Sequence, residues 1–217
     1  LTPFHWELGY GYGQSTQDET LHNLVDVSHL QLALGPAANC TGDCVPVNFF
    51  GGQGTITPAM LSYLGFDALQ HTKQTQSDLY ANIGFSLNNL LPAGPLGFAF
   101  GYETRQDEYS FLPDIHSING TSSGLGSQPT NGKVEANEYF GEVSIPLVKD
   151  FDYVNDLELS LAGRVSNYKT FGDSTNYKAG VLYKPFAGLL LRSTYATAFK
   201  APGVGRLYPG IAGAVPG

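Results

Sequence analysis

Residues 189–208 read LLLRSTYATAFKAPGVGRLY. Leu189, Leu191, Tyr195 and Phe199 fall on one side of a two-residue repeat, while Arg192, Thr194, Ala196 and Lys200 fall on the other. Successive side chains of a strand point to opposite faces, so the stretch predicts a strand with one apolar face and one small or polar face. The repeat stops after Lys200, where Ala201-Pro202-Gly203 removes a ladder donor and admits irregular backbone. A strand of about ten residues with an arginine and a lysine opposite its apolar side suits the wall of a membrane barrel.

The composition is compatible with that wall. Aromatic residues make up 12% of the 217 positions, glycine occurs 27 times and charged residues are only 14%, against about 25% in an average soluble domain. This mixture favours β structure with many turns. The formal net charge of -8, with 11 scattered basic residues, argues against a nucleic-acid partner, which calls for clustered Lys and Arg. Acidic connections suit cationic ligands or bridging divalent ions, and equally a plain soluble surface. No run of about 18 apolar residues occurs, so no transmembrane helix is expected, and a β-barrel needs none. Cys40 and Cys44 lie close together in a Gly/Asn/Pro-rich stretch, which fits a local disulfide formed in an oxidising compartment. As metal ligands they lack a second Cys or His pair at usable spacing.

Taken from its beginning, the chain alternates Phe4, Trp6, Leu8, Tyr10 and Tyr12 against His5, Glu7, Gly9 and Gly11, a strand. From 13 to 73 the pattern is lost, which predicts a long functional connection or subdomain. Within it, Thr57 suits an N-cap and Pro58 a first helical position, so a short helix is expected near 58–65. Leu79, Ala81, Ile83, Phe85 and Leu87 then oppose Asp78, Tyr80, Asn82, Gly84 and Ser86. After the turn Leu91-Pro92-Ala93-Gly94-Pro95, Leu96, Phe98, Phe100 and Tyr102 oppose Gly97, Ala99, Gly101 and Glu103, which completes a hairpin. A polar extension runs through Arg105 to Tyr109, followed by a Gly/Ser/Thr/Asn-rich loop over 113–132. Strand four spans about 133–147, with Phe140 the one bulky residue on its polar face. Strand five carries Leu157 to Ser166 and strand six Tyr177 to Tyr183, with turns at 148–156, 169–175 and 184–188.

If these strands form an antiparallel meander, the connections at 90–95, 148–156 and 184–188 share one end of the sheet. Those at 13–73, 113–132, 169–175 and beyond 200 share the other. Compact turns at one rim and long loops at the opposite rim are the asymmetry of an outer-membrane barrel. A soluble sandwich also alternates, but the strands here run longer than usual, their polar faces are rich in Gly, Ala, Ser and Asn, and Tyr102, Tyr139, Tyr183, Phe186 and Tyr195 sit near strand ends, where interfacial girdles belong.

Ser193 to Pro202, STYATAFKAP, resembles the late barrel strand of TonB-dependent outer-membrane receptors, of the form Leu-Arg-x-x-Tyr-x-x-x-Phe-Arg-Ala-Pro, with Lys200 where that family often has arginine and Arg206-Leu207-Tyr208 similar to its continuation. The segment from Ala33 to Leu64 is similar to an extracellular loop of many proteobacterial members, through Ala33-Leu34-Gly35-Pro36, Cys40, Cys44-Val45-Pro46-Val47-Asn48, Phe50-Gly51-Gly52 and Ile56-Thr57-Pro58. The resemblance implies a receptor in the outer membrane of a Gram-negative bacterium, with a 22-stranded barrel around an N-terminal plug. Such a receptor imports a scarce ligand (siderophore, cobalamin or oligosaccharide) with energy passed by TonB.

The expected fold class is all-β, about seven strands of an antiparallel up-and-down transmembrane barrel, with residues 1–217 a partial barrel. No plug before Leu1 and no closing strand after Gly213–Gly217 are recognised, so the expected partners are outer-membrane lipid, the plug and remaining strands of a longer protein, TonB through a region outside this chain, and a small-molecule ligand. The alternatives are a secreted soluble β-sandwich or carbohydrate-binding module, and a passive porin.

No nucleophile motif, Walker loop, HExxH or Cys-x-x-Cys occurs, so no enzymatic activity, cofactor or metal is expected. For ligand capture the candidates lie on the long connections and upper lumen: His71, Arg105, Asp107, Glu108, Tyr109, Asp114 and His116. The competing role for each is a solvated loop residue. Arg164 and Arg192 are placed to meet an anionic substrate or plug carboxylates, or to pair structurally with Glu158 or Glu142 on neighbouring strands.

Overall fold

The structure is a computed structural model that describes residues 4–208, so the chain end at Gly213–Gly217 lies outside the described residues. Its elements in order are β1 (Phe4–Val25), α1 (Val27–Leu34), a 3-10 turn (Ala37–Asn39), α2 (Pro58–Leu64), β2 (Gly65–Leu91), β3 (Gly94–Leu112), α3 (Ile115–Asn119), β4 (Thr130–Phe151), β5 (Val154–Tyr168), β6 (Gly172–Phe186), β7 (Leu189–Ala196) and α4 (Val204–Leu207). The seven strands form one sheet in the order β1-β2-β3-β4-β5-β6-β7, each beside its neighbours in sequence. No second sheet packs on it among the described residues, so a sandwich has no second layer here.

Two compact units make up the chain. The first comprises residues 4–13, Thr75–Asp107 and Lys133–Gly203. Here β4, β5, β6 and β7 pair antiparallel, and opposed residues share a face. Tyr139↔Val165, Gly141↔Gly163, Val143↔Leu161 and Ile145↔Leu159 lie on the apolar face, and Phe140↔Arg164, Glu142↔Ala162 and Ser144↔Ser160 on the polar one. The ladder carries both faces onward, with Leu191 beside Tyr183, Tyr195 beside Ala179, and Arg192 beside Leu182 on the polar side. The apolar face is uncovered: Trp6 is 70% exposed and Tyr195 64%. On β5 the apolar positions from Leu157 to Val165 span about 27 Å along the strand, or about 21 Å in height at a tilt of about 40°, close to the apolar band of a membrane barrel. Its connecting turns are tight, with only Pro92–Ala93, Asp152–Tyr153 and Ala187–Gly188 between successive strands. Tyr153 (φ 63°) and Gly188 (φ 102°) take the left-handed conformations such turns demand.

Phe140, the bulky exception on the polar face, has a steric partner. Its ring lies where a side chain on Gly101 of β3 would stand, as Tyr80 lies over Gly9 and His5 over Gly84. The glycines provide the room and the rings cover otherwise bare backbone.

The second unit comprises Gln14–Gln74, Glu108–Gly132 and 204–208. It departs from the expected boundaries. Residues 13–73 do not form one connection, because β1 continues to Val25 and β2 begins at Gly65, leaving 26–64 between them. The physical reason is solvation. Residues 14–23 of β1 read QSTQDETLHN, polar on both sides of the repeat at every position but Leu21, and a strand that is polar on both faces shows no alternation. The intervening segment is a small subdomain rather than a bare loop. Asp26 caps α1, accepting from the Ser28 and His29 amides. Thr57 caps α2, with Pro58 in its first turn. Ala33, Val47 and Leu64 form a buried cluster packed by Val25, Leu30, Ile56, Met60 and Tyr63, and a Cys40–Cys44 disulfide closes the chain between them.

Strand β7 ends at Ala196, short of Lys200. Thr197 still donates its amide to the Tyr177 carbonyl, at 3.0 Å, and its hydroxyl accepts from the Tyr177 amide, also at 3.0 Å. Beyond it Phe199 leaves the apolar side and packs with Tyr168 and Phe171, at ring distances of 6.0 and 6.1 Å. Parity stops where the ladder stops.

In this sheet β1 and β7 each have a neighbour on one side only. Unpaired amides and carbonyls in hydrocarbon cost several kcal/mol each. Residues 1–217 expressed alone and offered detergent or lipid are therefore expected to give no heat-modifiable folded band on a gel, and such a band would refute the account.

Candidate functional site

The densest set of charged side chains lies on the polar face of the first unit. Glu103, Arg105 and Asp107 alternate along β3 and so share a face. Glu138 of β4 and Arg164 of β5 share it too. Arg164 Nη2 stands 2.5 Å from Glu138 Oε2 and 3.1 Å from Glu103 Oε2. Arg105 approaches Asp107 Oδ2 at 3.2 Å through Nε and Glu103 Oε1 at 4.0 Å through Nη1. The Arg105 Nε contact is an ion pair without hydrogen-bond alignment, since that buried nitrogen has no hydrogen-bond acceptor. Glu138 is only 6% exposed, and its second oxygen accepts from the Tyr168 hydroxyl at 3.2 Å. Tyr168 in turn stacks on Phe171 at 4.4 Å. Three carboxylates, two guanidinium groups and an aromatic wall thus meet across three strands, a surface able to bind a polar ligand through both charge signs and a ring face.

Arg164 is paired, but not with the expected carboxylates. Glu158 instead accepts from Ser144 Oγ at 2.7 Å, and Glu142 faces Lys178 Nζ at 3.7 Å. The antiparallel register places Arg164 opposite Phe140, two residue pairs from Glu138 and so on the same face, and the long guanidinium reaches along the ladder diagonal. Arg192 lies opposite Leu182, is exposed, and makes no ion pair among the described residues.

The remaining candidates belong to the second unit. His71 Nδ1 meets Asp18 Oδ1 at 2.6 Å, and His22 Nδ1 meets Asp67 Oδ2 at 2.8 Å, so two histidine–carboxylate contacts join the upper parts of β1 and β2. His116 Nδ1 lies 3.3 Å from Asp26 Oδ2 and 3.1 Å from Thr121 Oγ1, with its ring 4.2 Å from that of Phe66. Asp114 caps α3 and accepts from the His116 amide at 2.8 Å. Glu108 and Tyr109 occupy the end of β3 in the same unit. His116 and Asp114 therefore hold the connection in shape, while Arg105, Asp107 and Arg164 are brought together.

The sequence reading missed Glu103, Glu138 and Tyr168. The first two carried a usable signal, since both stand on the polar side of the alternation with basic neighbours two positions away or one strand across. Tyr168 carried none, because its role depends on the register of β4 against β5. No group of three or more His, Cys, Asp or Glu side chains arranged for a metal ion occurs among the described residues.

Two carboxylates far along their strands from the tight turns have depressed pKa values. Asp67 is held below the ordinary value by its hydrogen bond from His22, then by the backbone amide of Asn23. Glu135 is held low by the ammonium groups of Lys133 and then Lys169, each paired to one of its oxygens.

A family model described as TonB dependent receptor-like, beta-barrel, matches residues 4–217. No curated protein and no solved structure matches the chain.

Replacing Arg164 by Ala strands Glu138 with only the Tyr168 hydroxyl, and because the guanidinium is half-exposed the expected loss is about 1–2 kcal/mol, measured by urea unfolding of the whole receptor in vesicles; an unchanged midpoint refutes the pairing role. A depressed carboxylate stabilises above its ordinary pKa of 3.8 and loses that contribution as pH falls through the lower folded value. Protection of the Asn23 amide, corrected for intrinsic exchange, is therefore expected to hold from pH 7 to about 5 and to collapse below about 4. Asp67→Asn should abolish that step.

Proposed function

We propose, on the premise that the chain belongs to the TonB dependent receptor-like β-barrel family, that it forms part of the wall and outer mouth of an outer-membrane receptor. That receptor takes up a scarce ligand, a siderophore, cobalamin or oligosaccharide, with TonB-derived energy. The family is one of transporters rather than enzymes. The observation that supports the reading best is the single up-and-down sheet with one uncovered apolar face, joined by two-residue turns at one end and by the helical segments 26–64 and 113–129 and the short turn 169–171 at the other. On this reading the apolar face meets lipid and the polar face lines the lumen. The long connections reach the exterior, and the plug, the remaining strands and the TonB-contacting region belong to the rest of the receptor.

Within that frame the charged set around Arg105, Asp107 and Arg164 lines the upper lumen, and Arg192 offers an uncommitted cation lower on the same face. His71, Glu108, Tyr109, Asp114 and His116 stand with the exterior connections, where a ligand arrives first. The polar set carries both signs, which suits a ligand rich in hydroxyl and carboxylate groups better than a simple cation.

The test uses the full receptor. Binding of ferric siderophores, cobalamin and oligosaccharides to the detergent-solubilised protein, together with uptake by cells with and without functional TonB, is expected to single out one class with TonB-dependent uptake. Arg105→Ala and Arg192→Ala, each removing a charged contact, should weaken that ligand about tenfold while heat-modifiability is kept. Uptake that proceeds equally without TonB would instead mark a passive pore.

A further inference from the structure

The apolar face of β4 and β5 changes character over a few rungs. Going up this pair, Val143↔Leu161 is followed by Gly141↔Gly163, Tyr139↔Val165 and Asn137↔Asn167. The next rung sets Glu135 beside Lys169, whose amide donates to the Glu135 carbonyl at 3.2 Å, and Lys133 follows on the same side. Lys133 and Lys169 each pair with one oxygen of Glu135. Asp173 of β6, opposite Asn167, adds a second carboxylate one rung below on the same face, yet Lys169 is 65% exposed, with further N–H donors to offer. The two ammonium groups give this spot exposed donors on a chain of formal net charge -8.

Below it the same two strands carry a depression. A groove of about 400 Å³ has Gly141 and Gly163 as its floor and Phe98, Phe100, Val143 and Leu161 as its walls. A side chain on Gly141 would press the Phe100 ring, whereas one on Gly163 would meet nothing within 4 Å, so the floor at Gly163 is open. Between spot and groove stands Tyr139, its ring 4.9 Å from that of Tyr102, whose hydroxyl donates to Asn137 at 3.0 Å. Such tyrosines belong at the boundary between hydrocarbon and headgroups. The six steps along the strand from Lys169 down to Gly163 span about 20 Å, or about 15 Å in depth at a tilt of about 40°, which is about half a hydrocarbon core.

We propose that β4 and β5 hold one phosphate-bearing anionic lipid of the leaflet on the long-connection side, with its phosphate on Lys133 and Lys169 and an acyl chain in the groove floored by Gly141 and Gly163. The proposal rests on the lipid-facing assignment of the apolar face above. Two features of different chemistry lie on one face at a separation of one leaflet's depth, and the groove is continuous with the surface that meets lipid. That combination selects a lipid rather than a soluble anion or a protein.

The test is native mass spectrometry of the full receptor released from nanodiscs holding dioleoylphosphatidylglycerol and dioleoylphosphatidylcholine in equal amounts. Wild type is expected to retain the phosphatidylglycerol preferentially, by about fivefold or more. K133Q/K169Q should erase the preference, and E135Q should raise it. G163L, which fills open space, should cut retention of the dioleoyl lipid without altering that of dihexanoylphosphatidylglycerol. Retention unchanged by K133Q/K169Q overturns the proposal, as does competition by inorganic phosphate or the dihexanoyl lipid as effective as by the full-length lipid, which would mark a free anion site. A receptor that fails to enter nanodiscs sinks the membrane assignment and this inference with it, whereas one that enters and shows no preference sinks this inference alone.

Discussion

A strand in hydrocarbon has no water with which to satisfy its amides and carbonyls, so its neighbours must pair all of them. Everything else in this chain follows from that constraint. The strands connect only to their sequence neighbours because an up-and-down order pairs each backbone with the shortest turns. Pro146, which lacks a donor, stands at the edge of a register shift between β4 and β5, where a missing ladder bond costs least. Thr197 shows the same constraint at the end of a ladder: past the last regular rung its hydroxyl accepts the Tyr177 amide that would otherwise be left over.

With the backbone committed to the ladder, the side chains answer to what lies on either face. This explains what could be read from the sequence. Alternation was legible from Phe4 to Tyr12, over 77–88 and from Leu157 to Ser166, because one face meets an apolar medium and the other a polar one. It vanished over 14–25 and 65–73, where the chain is still strand but β1 carries polar residues on both sides of the repeat. Periodicity reports an asymmetry of surroundings, and where the surroundings are symmetric a strand is silent. Helix α1 is a different case. Asp26 ahead of Val27, apolar Leu30, Ala33 and Leu34, and Gly35-Pro36 beyond them form a complete start-and-stop pattern, hidden only by its short length inside a segment without a strand repeat.

The charged cluster shows a second limit. Which residues lie on the polar face was readable from parity, and Arg105, Asp107 and Arg164 all do. Which carboxylate each cation takes was not, because that depends on the stagger of adjacent strands. Sequence spacing favours Glu158 or Glu142 for Arg164, whereas the register puts Glu138 within 2.5 Å. A guanidinium spans enough distance to reach a neighbour one rung away, and a buried carboxylate such as Glu138 costs far more if left alone than an exposed one. The arginine therefore goes to the carboxylate with most to lose, leaving Glu142 to Lys178.

The same rule separates the two faces of β4 and β5. Glu138 and Arg164 on the polar face form a closed set in which each carboxylate has at least one cation or hydroxyl within reach, a self-satisfied arrangement that stiffens the wall between strands. Glu135, Lys133 and Lys169, only a few residues further and on the opposite face, form a more open one, because both ammonium groups that share Glu135 stay largely exposed. The glycines below obey the same logic in apolar terms. Gly141 is covered by Phe100, whereas Gly163 is bare, so on the proposed lipid-facing wall the recess at Gly163 is where an acyl chain finds room.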